Sequence, residues 1–213
     1  MAKPLIQVAL DTLDYEQTLA LARQAAPYVD IIEVGTPCLK CNGLAIVKAL
    51  KAQFPDKLLF VDLKTMDAGY YEAEPFFKAG ADITTVLGTA DLGTIKGVVD
   101  VANAYGKQAQ VDLINVTDKA ARAQEAVRLG AHIIGIHTGI DQQLAGQTPF
   151  ADLAGLVGLG LNVKVSVAGG IKQSTVQQVV QSGPSIVVIG GAITGSKAPE
   201  TSAREIRGLV ESA

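Results

Sequence analysis

Tryptophan is absent from this chain of 213 residues, cysteine occurs only twice, and lysine and arginine do not outnumber the acids. Each shortage removes a class of function. Cys38 and Cys41 form a single C-x-x-C pair in "TPCLKCNG". With no second pair there is no four-ligand zinc site, and the pattern that usually surrounds a thioredoxin-like dithiol is missing. The two cysteines read as reduced thiols in a cytoplasmic protein. A net charge of −3 leaves no basic footprint for nucleic acid. No apolar run approaches the roughly 20 residues that span a bilayer, which argues against a membrane protein. The opening "MAKPLIQVALDTLD" has a short apolar stretch, cut by Gln7 and followed by acids, and reads as a first strand, not a signal peptide. No linker or low-complexity segment divides the chain, so a single domain over residues 1–213 is expected, and 48% hydrophobic residues suffice for a large core.

What is present is a repeat of short β-branched runs alternating with helical stretches. The runs cover residues 5–10, 29–34, 57–63, 82–87, 108–114, 132–137, 163–168 and 186–190. Between them, stretches such as "YEQTLALARQAA", "GLAIVKALKAQF" and "ADLGTIKGVVDVANAYG" repeat apolar residues every three or four positions, as a helix with one buried face requires. Gly80 and Gly130 mark helix-to-strand joints. Near-continuous apolar strands in βα order predict an all-parallel sheet covered on both sides. The first strand leads into "DTLDYE", without the glycine fingerprint of a dinucleotide fold. Eight units instead predict a closed (β/α)8 TIM barrel, an α/β single-domain fold.

Catalytic groups of such barrels sit at the carboxyl ends of the strands. Those ends carry Asp11, Glu33, Asp62 with Lys64, Asp112 and His137. Any one acid could be a solvated strand end or half of a structural ion pair; their shared location points to a site. Two-residue spacing puts Asp62 and Lys64 on one strand face, where carboxylate and ammonium keep each other ionised. Asp67 lies beyond the strand, and spacing does not fix its direction. Glu33 and Asp62, on adjacent strands, offer oxygen ligands suited to Mg²⁺; the alternative is a metal-free Glu–Lys–Asp network. His137 ends its strand and suits proton transfer near neutral pH, whereas His132 begins the same strand and reads as structural. The turns "SVAGGIKQST" and "VIGGAITGS" place Gly169, Gly170, Gly190 and Gly191 after strands seven and eight, where backbone amides of many barrels hold phosphate.

The signature "DLKTMD" resembles the D-x-K-x-x-D of the orotidine-phosphate decarboxylase superfamily. Within it, "VALDTLD", "VDIIEVGTP", "VDLKTMDAG", "TTVLGTAD", "VDLINVTDKAARAQE", "IHTGIDQQ" and "SVAGGIK" are similar, in order along nearly the whole chain, to the 3-hexulose-6-phosphate synthases. That resemblance implies an aldolase joining formaldehyde to D-ribulose 5-phosphate through a Mg²⁺-stabilised 1,2-enediolate, with Mn²⁺ as the alternative ion. It implies Glu33 and Asp62 as metal ligands, Lys64 beside the sugar's oxyanion, and His137 in proton transfer. Asp11 and Asp112 would bind the sugar, and the two glycine turns its phosphate. Asp67 would reach into the partner's site of a homodimer. The nearest rival, 3-keto-L-gulonate-6-phosphate decarboxylase, is expected to carry an arginine after the strand-six histidine and another in the strand-eight turn. Here those stretches hold Gly139 with Asp141, and Ala192. A non-catalytic phosphosugar-binding barrel would be marked by loss of Asp62, Lys64 or His137, and all three are present.

Overall fold

The computed structural model describes residues 3–213. Its strands are β1 Leu5–Leu10, β2 Ile31–Val34, β3 Leu58–Thr65, β4 Ile83–Leu87, β5 Gln108–Asp112, β6 Ile133–His137, β7 Lys164–Ala168 and β8 Ile186–Ile189. Each pairs in parallel with the next, and β8 pairs with β1 to close the barrel. The helices are α1 Tyr15–Ala25, α2 Thr36–Gln53, α3 Gly69–Lys78, α4 Leu92–Ala104, α5 Lys119–Arg128, α6 Ile140–Leu144, α7 Phe150–Gly158, α8 Val176–Gln181, α9 Gly191–Thr194 and α10 Pro199–Ser212. The single-domain (β/α)8 TIM barrel expected from the repeat is the fold observed. Among the described residues, no helix is long and apolar enough to cross a membrane.

Local chemistry sets the helix starts. Asp14, Asp91 and Asp118 each accept a hydrogen bond from a first-turn amide, of Gln17, Gly93 and Ala121 respectively. The α2 start differs from the periodicity, which predicts helix only from Gly43. Pro37 in the first turn carries a backbone already set for helix, so α2 begins at Thr36 and includes both cysteines. It kinks at Gly43, where φ is 55°. Cys38 is buried, Cys41 exposed, and neither is in a disulfide.

Strand side chains alternate between two cores. Val8, Ile32, Val61, Val86, Val111 and Ile134 face the helices, whereas Ile31, Phe60, Ile83, Ile133, Ile186 and Val188 fill the barrel's interior. Each fully buried Ile or Phe contributes about 1.5–3 kcal/mol. At the amino ends of the strands, Asp82 accepts from Lys51, Lys107 and the Leu59 amide, and His132 Nδ1 accepts from the Ala109 amide at 3.1 Å. His132 is thus part of the scaffold, as its place at the start of β6 suggests.

One irregularity bears on function. Between β3 and β4 the register passes from Val61↔Thr84 to Thr65↔Val86, so four steps along β3 match two along β4. Within this bulge Lys64 takes φ 48°, a left-handed conformation that costs a non-glycine residue on the order of 1–3 kcal/mol. Its amide donates to Thr85 Oγ1 at 2.9 Å. Asp62 and Lys64 do face the same cavity, but simple alternation is not the reason: the bulge re-aims the lysine.

Candidate active site

At the carboxyl ends of the strands lies a cavity of about 610 Å³. Its walls include Asp11, Glu33, Asp62, Lys64, Asp112 and His137, together with Gly169, Gly170, Gly190 and Gly191. Asp67 is the one predicted site residue that the fold leaves out of its own chain's cavity. It is exposed, and among the described residues its Oδ1 accepts only from the neighbouring Ala68 amide, at 2.7 Å. A second hollow, about 500 Å³ between the starts of α5 and α7, offers an aspartate that already caps α5 and a Lys119–Asp152 ion pair. It has no convergent acid–base set.

The ring is wired in one direction. Asp62 Oδ1 accepts from Thr85 Oγ1 at 2.7 Å, and Oδ2 from Thr36 Oγ1 at 2.8 Å and from the Lys64 ammonium. Asp112 Oδ2 lies 3.8 Å from the same ammonium and 2.8 Å from His137 Nδ1, while Oδ1 accepts from the Ile114 amide. Burial alone would push Lys64 down, yet the charges of Asp62 and Asp112 outweigh it and raise its pKa, so the ammonium persists. His137 follows the same pattern: burial opposes its charge, and the hydrogen bond and charge of Asp112 prevail, raising it. Asp112 itself is lowered, the His137 bond overcoming desolvation. Because an ionised Asp112 only accepts, Nδ1 carries the hydrogen, and a neutral His137 keeps its lone pair on Nε2.

Two further carboxyls, Glu33 and Asp11, are held in the opposite sense. Burial, then the charge of Asp62, pushes Glu33 well above the usual carboxylate range, and only Gln7 and Lys64 oppose this. Asp11 is exposed at the cavity mouth, with the cavity walls packed around its inner side. Desolvation and then Asp62 raise its pKa, against Lys64 and His137. Gly35 makes its position feasible, because a Cβ there would lie 2.0 Å from Asp11 Oδ1.

These groups fit a divalent cation of the Mg²⁺ type. Two hard carboxylates, Glu33 and Asp62, share one wall, and Glu33 forms no ion pair among the described residues. Among the described residues no group of three or more His, Cys, Asp or Glu side chains forms a complete metal cage. An offer of one or two carboxylates, with water or substrate completing the shell, is the usual Mg²⁺ arrangement and a poor one for structural zinc.

At the opposite wall Gly169 has φ 117°, and a Cβ there would lie 2.4 Å from the Thr138 carbonyl oxygen, so the close turn requires glycine. The amides of Gly191 and Ala192 open α9 and have no carbonyl a turn behind them. Lys172 also lines this end. Several residues of the site escape the sequence reading: Thr36 on the wall and the buried Thr85 behind it, which orient Asp62; Gln7, Gln110 and Ser166 on the floor; and Lys172 by the glycine turn. Strand parity would have flagged the floor, since Gln7, Gln110 and Ser166 stand two residues before Ala9, Asp112 and Ala168. Thr36 opens α2 ahead of the stretch with apolar periodicity, so no periodicity reaches it.

A closed parallel barrel with Asp62–Lys64 and His137 at its mouth defines a class. The chain belongs to the orotidine 5'-phosphate decarboxylase / HUMPS family, whose model matches residues 4–206. Within that family it is 64% identical over 207 residues to the 3-hexulose-6-phosphate synthase of Methylomonas aminofaciens, covering 97% of this chain and 99% of that one. The crystal structure of 3-hexulose-6-phosphate synthase from Salmonella typhimurium matches with a TM-score of 0.95 at 39% identity, over 98% and 99% of the two chains. The 3-keto-L-gulonate-6-phosphate decarboxylase from Vibrio cholerae O1 biovar El Tor is more distant, with a TM-score of 0.86 at 30% identity over 99% of each chain. Names at such identities, over nearly full length, mark this chain as an enzyme.

Proposed function

We propose that the chain catalyses the aldol condensation of formaldehyde with D-ribulose 5-phosphate to D-arabino-3-hexulose 6-phosphate, a step of formaldehyde fixation by the ribulose monophosphate route. The observation that carries this reading is the Asp62–Lys64–Asp112–His137 chain at the cavity wall, with Gly139 and Ala192 adding no charge of their own beyond it. A decarboxylase that must hold a substrate carboxylate gains nothing from those two residues, whereas a small neutral aldehyde needs only the space. The identity of 64% to a named synthase points the same way.

The residues divide the work. Amides of the Gly169–Gly170 and Gly190–Gly191 turns, with Lys172, hold the phosphate and fix the sugar's reach. His137 Nε2 takes the proton from C1, and the carbon–hydrogen electrons pass into the C1–C2 bond as the ketone oxygen becomes an oxyanion. The Lys64 ammonium, already fixed between two carboxylates, faces that charge without reorganising. C1 then forms a bond to the formaldehyde carbon, the aldehyde oxygen takes the π electrons, and the His137 imidazolium returns its proton to it. Glu33 and Asp62 would hold Mg²⁺, or Mn²⁺, which supplies positive charge next to the sugar's oxygens. Asp11 lies within reach of hydroxyl groups at the cavity rim.

The active form in this reading is a homodimer. Asp67 sits among exposed Met66, Tyr70, Tyr71 and Leu92, an apolar surface suited to a second copy, and Asp67 would enter that copy's site. The two free thiols suit the reducing cytoplasm. The test of the reading is formaldehyde consumption that requires both ribulose 5-phosphate and Mg²⁺. Lys64→Ala should lower its rate roughly 10²–10³-fold, the usual loss when one oxyanion partner is removed, with the far-UV circular dichroism unchanged. Turnover near that of the unaltered chain would refute the role of Lys64.

A further inference from the structure

The floor of the cavity contains an amide that the proposed chemistry does not use. Gln7 lies on β1 between Ile31 of β2 and Val188 of β8, in the apolar layer that fills the barrel. It is 1% exposed. A leucine or methionine would fill this place without burying a polar group. Instead, Gln7 Nε2 donates to Glu33 Oε2 at 2.7 Å, while Gln7 Oε1 has no hydrogen-bond partner among the described residues. The amide therefore weakens the fold on one side and makes one good bond on the other. That bond goes to a carboxylate on the neighbouring strand, where Glu33 is itself buried and shares a wall of the site with Asp62.

We infer that Gln7 is a positioning residue for the divalent cation: it ties down Glu33 Oε2 so that Oε1 is presented to the metal. The inference rests on the reading of Glu33 and Asp62 as metal ligands. The hydrogen bond also keeps the carboxylate from swinging toward the Lys64 ammonium, which already has Asp62 and Asp112. Outer partners of this kind orient a ligand and are typically worth 10–100-fold in metal affinity. Gln7 would not touch the sugar or the aldehyde.

The test is a Mn²⁺ titration, followed by the loss of the free-ion electron paramagnetic resonance signal. It compares the unaltered chain with Gln7→Met, which keeps the length of the side chain and removes its donor. Gln7→Asn, whose amide is drawn back by one methylene, serves if the methionine variant does not fold. Thr84→Val is the control, because Thr84 Oγ1 is also buried without a partner but makes no bond to Glu33. The expected result is Mn²⁺ affinity weakened about 10–100-fold in the Gln7 variants and unchanged in Thr84→Val. The melting temperature in EDTA should hold or rise in both Gln7→Met and Thr84→Val. Activity should recover toward its full kcat at saturating metal, with the defect confined to the metal concentration required. Equal Mn²⁺ affinity in the unaltered chain and the Gln7 variants would overturn the positioning role and leave the metal ligands standing. Absence of Mn²⁺ binding to the unaltered chain at millimolar concentration would overturn both.

Discussion

Replacing Asp112 by asparagine isolates the electrostatic core of the site, because the change keeps the side chain's shape and removes its charge. Asp112 is 2% exposed and accepts from His137 Nδ1 and from the Ile114 amide, each at 2.8 Å. Asparagine retains an oxygen for Ile114 but then turns an amide N–H₂ toward His137 and Lys64, both donors. Loss of a hydrogen bond to a charged group is worth about 1.5–3 kcal/mol. For a chain of this size that corresponds to a fall in melting temperature of roughly 3–12 °C. The sign of the pH dependence follows from the two shifts. The raised pKa of His137 contributes stability that is complete below its unfolded value near ~6.5 and disappears as pH rises through the folded value. The lowered pKa of Asp112 contributes stability present above about 3.9 and lost on acidification. The gap in melting temperature between the two proteins should therefore be widest between about pH 4 and 6.5 and narrow above that. In activity, the acid limb of the rate profile should move to lower pH, since His137 loses the partner that raises it. Differential scanning calorimetry and a pH–rate series measure the two effects. A stability gap constant from acid to alkaline pH, or an acid limb that stays in place, would refute the coupling.

Two other perturbations probe the phosphate end and the proposed interface. Gly169→Ala forces a Cβ to within 2.4 Å of the Thr138 carbonyl oxygen at φ 117°. Strain of about 1–3 kcal/mol should lower the melting temperature and raise KM for the phosphosugar. An unchanged KM would remove the turn from the binding site. Mixing Lys64→Ala with Asp67→Ala chains should restore about a quarter of full activity, because half of random dimers are mixed and each has one intact site. No recovery after subunit exchange would place Asp67 outside the neighbour's site.

Much of this architecture is legible in the chain. The eight apolar runs become β1 to β8 with boundaries shifted by no more than a few residues at any end, because a parallel strand buried on both sides needs an uninterrupted β-branched stretch. The same runs end in the residues that meet in the cavity, since parallel strands must all point their carboxyl ends one way. What the sequence does not reveal depends on the backbone leaving its repeat. The β3 bulge aims Lys64, and alternation alone reaches the right face for the wrong reason. Thr36 enters through a helix that starts about two turns before its apolar periodicity. Gln7 reads as an interruption in an apolar run, and its value depends on Glu33 lying across the strand pair. Asp67 lies beyond the strand, exposed and outside its own chain's cavity, and no spacing along β3 fixes its direction.

The most direct measurement supplies one preparation, with Mg²⁺, in parallel with ribulose 5-phosphate plus formaldehyde and with 3-keto-L-gulonate 6-phosphate. The account predicts rapid formaldehyde consumption with formation of the hexulose phosphate, and release of CO₂ that is slow by comparison. Faster decarboxylation than condensation would contradict it.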